Sequence, residues 1–488
     1  MMLPFSAVFH SLGLIVMIVS GLMLFPLALA QFTNDGAAGA FLQSFGLTLT
    51  GGALMWLVFR RFARGRELKI RDGFLLASLA WIVVPAVATL PLLMVIPELS
   101  FTDAYFETMS GLTTTGSTTL SDLDKLPASI NFWRCFLVWI GGMGVVVLTV
   151  AILPMLGVGG SQAFKAETPG PMKDSKITPR ITQTAEGLWA VYVLLSLACT
   201  ISLCLAGMPL LDSVMHTFSI MGLGGFSSHD ASFGFFDSPA MEAVAIVFML
   251  IAGINFATHF LAFSNRSLQS YARDMEAHAF WLLMVISVFL SAWYLWQHNT
   301  YPEFLTALRH AAFNVVSIAT TTGLATVDYN LWPTFVPVLM LFLSCFATCA
   351  GSTGGGIKMI RAQLLLKQSL GELRRLIHPH AQIVVKLNGQ VFPGHVLYSI
   401  LAFVFLYVIS IILLTFLMLF TGCDIVTGLS AVLASINNMG PGLNLVGPST
   451  TFAVLTDFQT WVCTIAMLLG RLELFTLLVL LHPEFWRG

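Results

Sequence analysis

Four short turns hold the residues of this chain best suited to chemistry. They read Thr113-Thr114-Thr115-Gly116-Ser117, Gly222-Leu223-Gly224-Gly225-Phe226, Thr320-Thr321-Thr322-Gly323-Leu324 and Asn437-Asn438-Met439-Gly440-Pro441. A loop whose successive carbonyls face one axis needs residues that tolerate unusual dihedrals, and glycine tolerates them best. Rings of such carbonyls can replace a cation's hydration shell. Threonine beside the glycine adds a hydroxyl and a stiff β-branched side chain that can brace the loop. The chemistry these turns suit is therefore coordination of a desolvated cation by main-chain oxygens. Candidate positions are Thr114, Thr115 and Gly116; Leu223, Gly224 and Gly225; Thr321, Thr322 and Gly323; and Asn438, Met439 and Gly440. The second turn departs from the Thr-rich pattern. In the fourth, Gly442 is an alternative to Gly440, which is preferred because polar residues precede it as threonines precede Gly116 and Gly323. One Thr-Thr-Thr-Gly alone would more often be a helix cap.

The aligned glycines are 109, 98 and 117 residues apart, the mark of a fourfold internal repeat. Segments 102–112, 211–221, 304–319 and 424–436 precede the turns, each too short to span a bilayer but long enough for a half-helix. Non-helical backbone at membrane depth is tolerated only where protein buries it or a water-filled cavity adjoins it. Four such turns imply one shared cavity, with the partly negative C-terminal ends of the half-helices aimed at it.

Composition gives the setting. Of 488 residues 57% are hydrophobic and 10% charged, with mean hydropathy +0.85, against about 25% charged in soluble domains. Ten apolar stretches are long enough to span: 7–30, 40–60, 73–96, 132–155, 184–208, 240–263, 278–297, 334–357, 394–420 and 457–482. The first has no Lys or Arg before it and reads as a retained helix, not a signal peptide. The expected fold is an all-α membrane protein. Of 23 Lys and Arg residues, 19 fall in alternate connections or at the C-terminus, which places those connections and both termini in the cytoplasm. The opposite connections are acidic, with Asp124, Asp212 and Asp328 among them, and would concentrate cations at an outer mouth. The seven cysteines lack zinc or disulfide spacing. There is no catalytic constellation and no sizeable soluble domain, which argues against an enzyme.

Two features interrupt the last spans. Gly351-Ser352-Thr353-Gly354-Gly355-Gly356 lies in the eighth stretch, where glycine costs about 1 kcal/mol per residue in a helix. The helix must end or break there. Met359 after Lys358 does not fit a nucleotide-binding loop. Arg471 interrupts the tenth stretch at a cost of roughly 2.5 to 3.5 kcal/mol; it snorkels to the interface, pairs with Glu473, or faces an internal cavity. Of the other polar residues near the turns, Arg309 is expected to support a loop through backbone carbonyls and Arg134 to sit at the outer interface. Glu107 and Asn314 are expected to hold loops in place.

On these turns, the Gly-rich run and Gly470-Arg471-Leu472-Glu473, the sequence resembles the Trk/Ktr/HKT superfamily of potassium transporters, and within it the bacterial TrkH type, over the whole chain. The resemblance implies four membrane-pore-membrane repeats around one pseudo-fourfold pore plus two extra N-terminal helices. Its divisions are a two-helix domain at 1–72 and repeats at 73–160, 161–264, 265–380 and 381–488. It implies that Gly116, Gly225, Gly323 and Gly440 are the filter glycines, and that glycine rather than serine at 116 favours potassium over sodium. It further implies that the run from Gly351 to Gly356 is an intramembrane gate loop and that Arg471 repels cations beside it. Potassium would be the transported ion, bound only at the filter residues, with no cofactor in this chain. The implied setting is the bacterial inner membrane, as a homodimer associated with a cytoplasmic nucleotide-binding TrkA-like ring and with no nucleic acid partner. The basic connections 157–183 and 358–392 suit docking of that ring. The alternative is a secondary transporter for another cation or small solute, which would show two related halves rather than four quarters.

Overall fold

A computed structural model describes residues 5–63, 69–144, 181–380, 382, 384–387 and 390–487. The connection at 157–183 with its lysines, the end of the 132–155 stretch, and Arg64 and Arg66 lie outside the described residues.

Two N-terminal rods come first. Ser6–Leu22 breaks at Met23 and resumes as Leu24–Thr33, because Pro26 has no N–H for the Leu22 carbonyl. The rod meets Ala38–Ala63 backbone to backbone at Gly13 and Gly52. A Cβ on Gly13 would lie 2.8 Å from Gly52 O, and one on Gly52 2.9 Å from Gly13 O, a close approach that only small residues allow.

Four units of helix, half-helix and returning helix follow. The first runs through Ile70–Ala88, Phe101–Leu112 and Ala128–Met143. The second has Ile181–Leu205, Leu210–Gly222 and the bent pair Pro239–Ala252 and Phe256–Asn265. The third has Met275–Gln297, Phe304–Ala319 and Phe335–Ser344, and the fourth Gly394–Phe420, Ile425–Ile436 and Asp457–Arg471. The half-helices sit where the sequence placed them. Caps start two of them: Ser100 Oγ accepts from Asp103 N at 3.0 Å, and Asp424 Oδ1 from Thr427 N at 3.0 Å.

The returning helices are less regular than the apolar stretches suggested. Pro239–Ala252 turns by 93° into Phe256–Asn265, and Asp457–Arg471 turns by 105° into the segment Phe475–Leu481. One continuous stretch was expected for each, 240–263 and 457–482, with a helix break expected at the Gly-rich run. Asn255 causes the first bend by capping the second piece through Ala257 N at 2.9 Å. At the second bend Glu473 and Leu474 adopt left-handed backbone, with φ of 53° and 49°. Among the described residues six helices are long and apolar enough to cross a membrane, or eight if each bent pair is one span.

The 358–392 connection is folded rather than loose. It forms the helix Met359–Ile377 and a two-stranded antiparallel ribbon in which Lys386 faces Val391. Ile360, Leu364, Val385, Leu387, Leu397 and Ile400 form a small core that fastens it to the fourth unit. One large apolar core joins the N-terminal rods to the first and fourth units, and a second joins the second and third units. Leu401, Phe405, Val408, Ile412 and Phe416 lie exposed along Gly394–Phe420, the surface that lipid covers in a spanning helix. This is an all-α membrane fold with four units around one axis and two added N-terminal helices.

Candidate functional site

Each half-helix ends in the same way. Thr114, Leu223, Thr321 and Asn438 adopt left-handed φ of 56°, 51°, 62° and 51°. The next N–H then turns back into the half-helix: Thr115 N donates to Ser110 O at 2.8 Å, Gly224 N to Ser219 O at 2.9 Å, Thr322 N to Ser317 O at 2.7 Å and Met439 N to Ala434 O at 2.8 Å. These bonds satisfy carbonyls that a helix end leaves open. Gly116, Gly323 and Gly440 follow with φ of 82°, 86° and 102°; Gly225 does not share that conformation. The pattern places Gly440, not Gly442, level with the other three.

The four corners meet in cyclic order. A Cβ on Gly116 would strike Gly225 N, one on Gly225 would lie 2.8 Å from Gly323 C, one on Gly323 would strike Met439 O, and one on Gly440 would lie 3.1 Å from Thr115 O. Side chains close the ring between its first and last members: Ser117 Oγ donates to Gly440 O at 2.7 Å, and Asn438 Nδ2 to Thr115 Oγ1 at 3.0 Å. Within the Thr-rich corners, Thr113 and Thr115 share a hydroxyl bond of 2.8 Å, as do Thr320 and Thr322.

A second ring of side chains braces the chain as it leaves each corner. Glu107, His216 and Asn314 each stand nine residues before their corner glycine. Glu107 accepts from Thr119 N and Thr118 Oγ1 at 3.0 Å, His216 Nε2 pairs with Ser227 Oγ at 2.9 Å, and Asn314 Oδ1 accepts from Thr326 N at 3.2 Å. Ser430 does this in the fourth unit, accepting from Leu443 N at 2.9 Å. The expectation for Glu107 and Asn314 holds. His216 and Ser430 were missed, although the fixed offset from the glycines would have revealed the first.

Two arginines differ from expectation. Arg134 is 1% exposed rather than at an interface. Its Nε donates to Glu107 Oε1 at 2.7 Å, Nη1 reaches Ser227 O at 3.3 Å, and the guanidinium lies 4.4 Å from the Phe226 ring. It thus ties the first unit to the second. Arg309 binds carboxylates rather than backbone carbonyls, with Glu242 and Asp237 each at 2.7 Å. In the connection after the second corner, His229 pairs with Asp124 of the first unit and lies 3.4 Å from Asp212. Burial alone would lower the His229 pKa, but bonds to Asp212 and Asp124 outweigh it and raise the value.

The Gly-rich run lies directly against this ring. Thr353 Oγ1 donates to Met221 O at 2.9 Å, Gly355 N donates to Thr321 Oγ1 at 2.9 Å, and a Cβ on Gly355 would strike Asn437 O. Gly351 and Gly356 take left-handed φ of 74° and 78°. Gly351 O accepts from Phe256 N at 3.0 Å, Ser352 Oγ donates to Cys349 O at 2.6 Å, and Gly354 O accepts from Lys358 Nζ. Lys358, expected at the cytoplasmic surface, is 4% exposed. Arg471 joins the loop to the first corner: Nη1 donates to Thr353 O at 3.0 Å and Thr114 Oγ1 at 3.2 Å, while Nη2 reaches Gly141 O and Gly142 O. Glu473 forms an ion pair with Arg361 at 2.7 Å. Among the described residues no group of His, Cys, Asp and Glu is placed to hold a metal ion.

The sequence matches the model of the TrkH family, described as a cation transport protein, over residues 39–487. The chain belongs to the TrkH family. It is 46% identical to the Trk system potassium uptake protein TrkH of Salmonella typhimurium, over 99% of both chains. The Trk system potassium uptake protein TrkG of Escherichia coli is 37% identical over 98% of each. Its fold superposes on the crystal structure of the potassium transporter TrkH from Vibrio parahaemolyticus with a TM-score of 0.89 and 42% identity, covering 99% of this chain and 100% of that one.

Proposed function

We propose that this chain is a potassium uptake subunit whose ions pass through one pore at the axis of the four glycine corners. The observation that carries the reading is the cyclic contact of Gly116, Gly225, Gly323 and Gly440, each behind the same left-handed residue and the same returning hydrogen bond. A ring built this way holds main-chain oxygens at a spacing that side chains cannot close, so they stand in for a cation's water. The filter is then Thr114 to Gly116, Leu223 to Gly225, Thr321 to Gly323 and Asn438 to Gly440. The gate is the run Gly351 to Gly356 with Arg471, which together touch all four units just beneath the ring.

In this reading the half-helices enter from the outer side of a bacterial inner membrane and both termini lie in the cytoplasm. The potassium ion is cargo, and the subunit works as a homodimer with a nucleotide-binding ring docked on 358–392. The names of its relatives, potassium uptake proteins of Trk systems, support potassium as the cargo. Fourfold equivalence of the corners favours a pore over a transporter with two related halves.

Rubidium and sodium uptake in a strain lacking its own potassium uptake systems tests both parts. Gly116→Ser is expected to weaken the preference for rubidium over sodium, because the new Cβ strikes Gly225. Removal of a unit charge near the axis by Arg471→Ala is expected to raise flux on the order of tenfold. Wild-type behaviour of both variants would overturn the assignment.

A further inference from the structure

The Gly-rich loop is closed at its neck. Ile357 N donates to Cys345 O at 2.6 Å and Met359 N to Thr348 O at 2.8 Å, so the chain enters and leaves the loop side by side. A side chain from another helix joins this neck. Glu276, in the first turn of Met275–Gln297, is 5% exposed. Its Oε1 accepts from Ala350 N at 2.8 Å and from Ile360 N at 2.9 Å. One N–H lies on the entering strand and the other on the leaving strand. Ile360 is the second residue of Met359–Ile377, where N–H groups lack an intrahelical acceptor and a negative charge is favoured.

The carrier of this carboxylate is itself fixed. Asp274 Oδ1 accepts from Glu276 N and Ala277 N at 3.1 Å, and Asp274 Oδ2 accepts from Thr258 Oγ1 at 2.8 Å. Thr258 belongs to the short helix after the 93° bend. That bend also holds the loop from its other flank, through Cys349 N to Gly253 O and Phe256 N to Gly351 O, both at 3.0 Å.

We propose that Glu276 is the latch of the Gly-rich loop, a positioning residue whose one carboxylate oxygen ties both strands of the neck to the third unit. The inference rests on the reading of that loop as a movable gate. Displacing the loop breaks two hydrogen bonds together, and when the carboxylate is ionised such bonds are roughly twice as strong as neutral ones. Glutamine at 276 keeps the oxygen and the shape but removes the charge. Aspartate keeps the charge and withdraws it from the neck.

Cys349, fully buried beside Ala350, reports loop displacement without any added label site. The full-length chain in lipid vesicles is treated with N-ethylmaleimide, and alkylation of Cys349 is followed by peptide mass spectrometry alongside rubidium flux. With weaker charge assistance, Glu276→Gln is expected to alkylate Cys349 about tenfold faster than wild type. Glu276→Asp should do so at least as fast, with flux rising in both. Cys199 and Cys463, buried in other helices, are expected to stay unlabelled; acceleration at all three would mark general unfolding and overturn the latch. Unchanged Cys349 labelling in Glu276→Gln would overturn it too, and if Arg471→Ala still raises flux the gate reading survives. Faster Cys349 labelling with unaltered flux would keep the latch and overturn the gating role of the loop.

Discussion

Removing either member of the Glu107–Arg134 pair leaves a charge buried against the first corner with nothing to balance it. Loss of one partner of a buried pair costs about 3 to 5 kcal/mol. Glu107→Ala is therefore expected to lower the thermal midpoint of the purified protein in detergent well below that of Glu107→Gln, whose amide still accepts from Arg134. Equal midpoints would show that the pair is solvated. His229 carries a prediction of opposite pH sense from an acid. Its pKa is raised above the ordinary 6.5 by Asp212 and Asp124, so its stabilisation is complete below that value and fades as pH climbs through the raised one. The stability gap between wild type and His229→Gln should be largest in mildly acidic buffer and shrink towards alkaline pH; a gap that widens with pH would refute this. At this scale the sequence was readable where a residue type is demanded by the backbone. Glycine at the corners is such a case, since a Cβ would clash at Gly116, Gly225 and Gly323 and the left-handed backbone of Gly440 disfavours any other residue. Arg134 was misread because its partners Glu107 and Ser227 lie 27 and 93 residues away, and nothing in a linear chain announces such a pairing.

Hydropathy located the helices but not their breaks. A window average over 240–263 stays apolar on both sides of Gly253-Ile254-Asn255, so three residues that turn the chain by 93° leave almost no trace in it. The half-helices were legible because each is short, amphipathic and followed by a glycine-containing turn. The helix Met359–Ile377 was hidden by the assumption that a basic connection is a loop. Its exposed Leu366, Leu370, Leu373 and Leu376, with Arg374 and Arg375 beside them, form an apolar and basic face. Reversing both charges, Arg374→Glu with Arg375→Glu, is expected to abolish co-purification with the proposed nucleotide-binding ring while leaving the fold intact, since both side chains are exposed. Undiminished co-purification would place the docking surface elsewhere.

In the whole molecule the four corners arise from one chain, and the ring closes on itself through Ser117 to Gly440 and Asn438 to Thr115. The repeat spacing made that closure legible in outline. The bonds that seal it were not, because they join residues 323 positions apart. On the proposed reading, a conduit complete within one chain owes nothing to its neighbour's. In the proposed symmetric homodimer, pairing one wild-type copy with one Gly323→Leu copy should leave about half the uptake, and near-total loss would contradict an independent conduit in each copy. For the cell, that reading has a consequence of inheritance: a defective allele would be masked by an intact one instead of poisoning it. Each quarter of the ring would then be free to vary by itself, and the second and fourth corners do differ in sequence from the Thr-rich first and third.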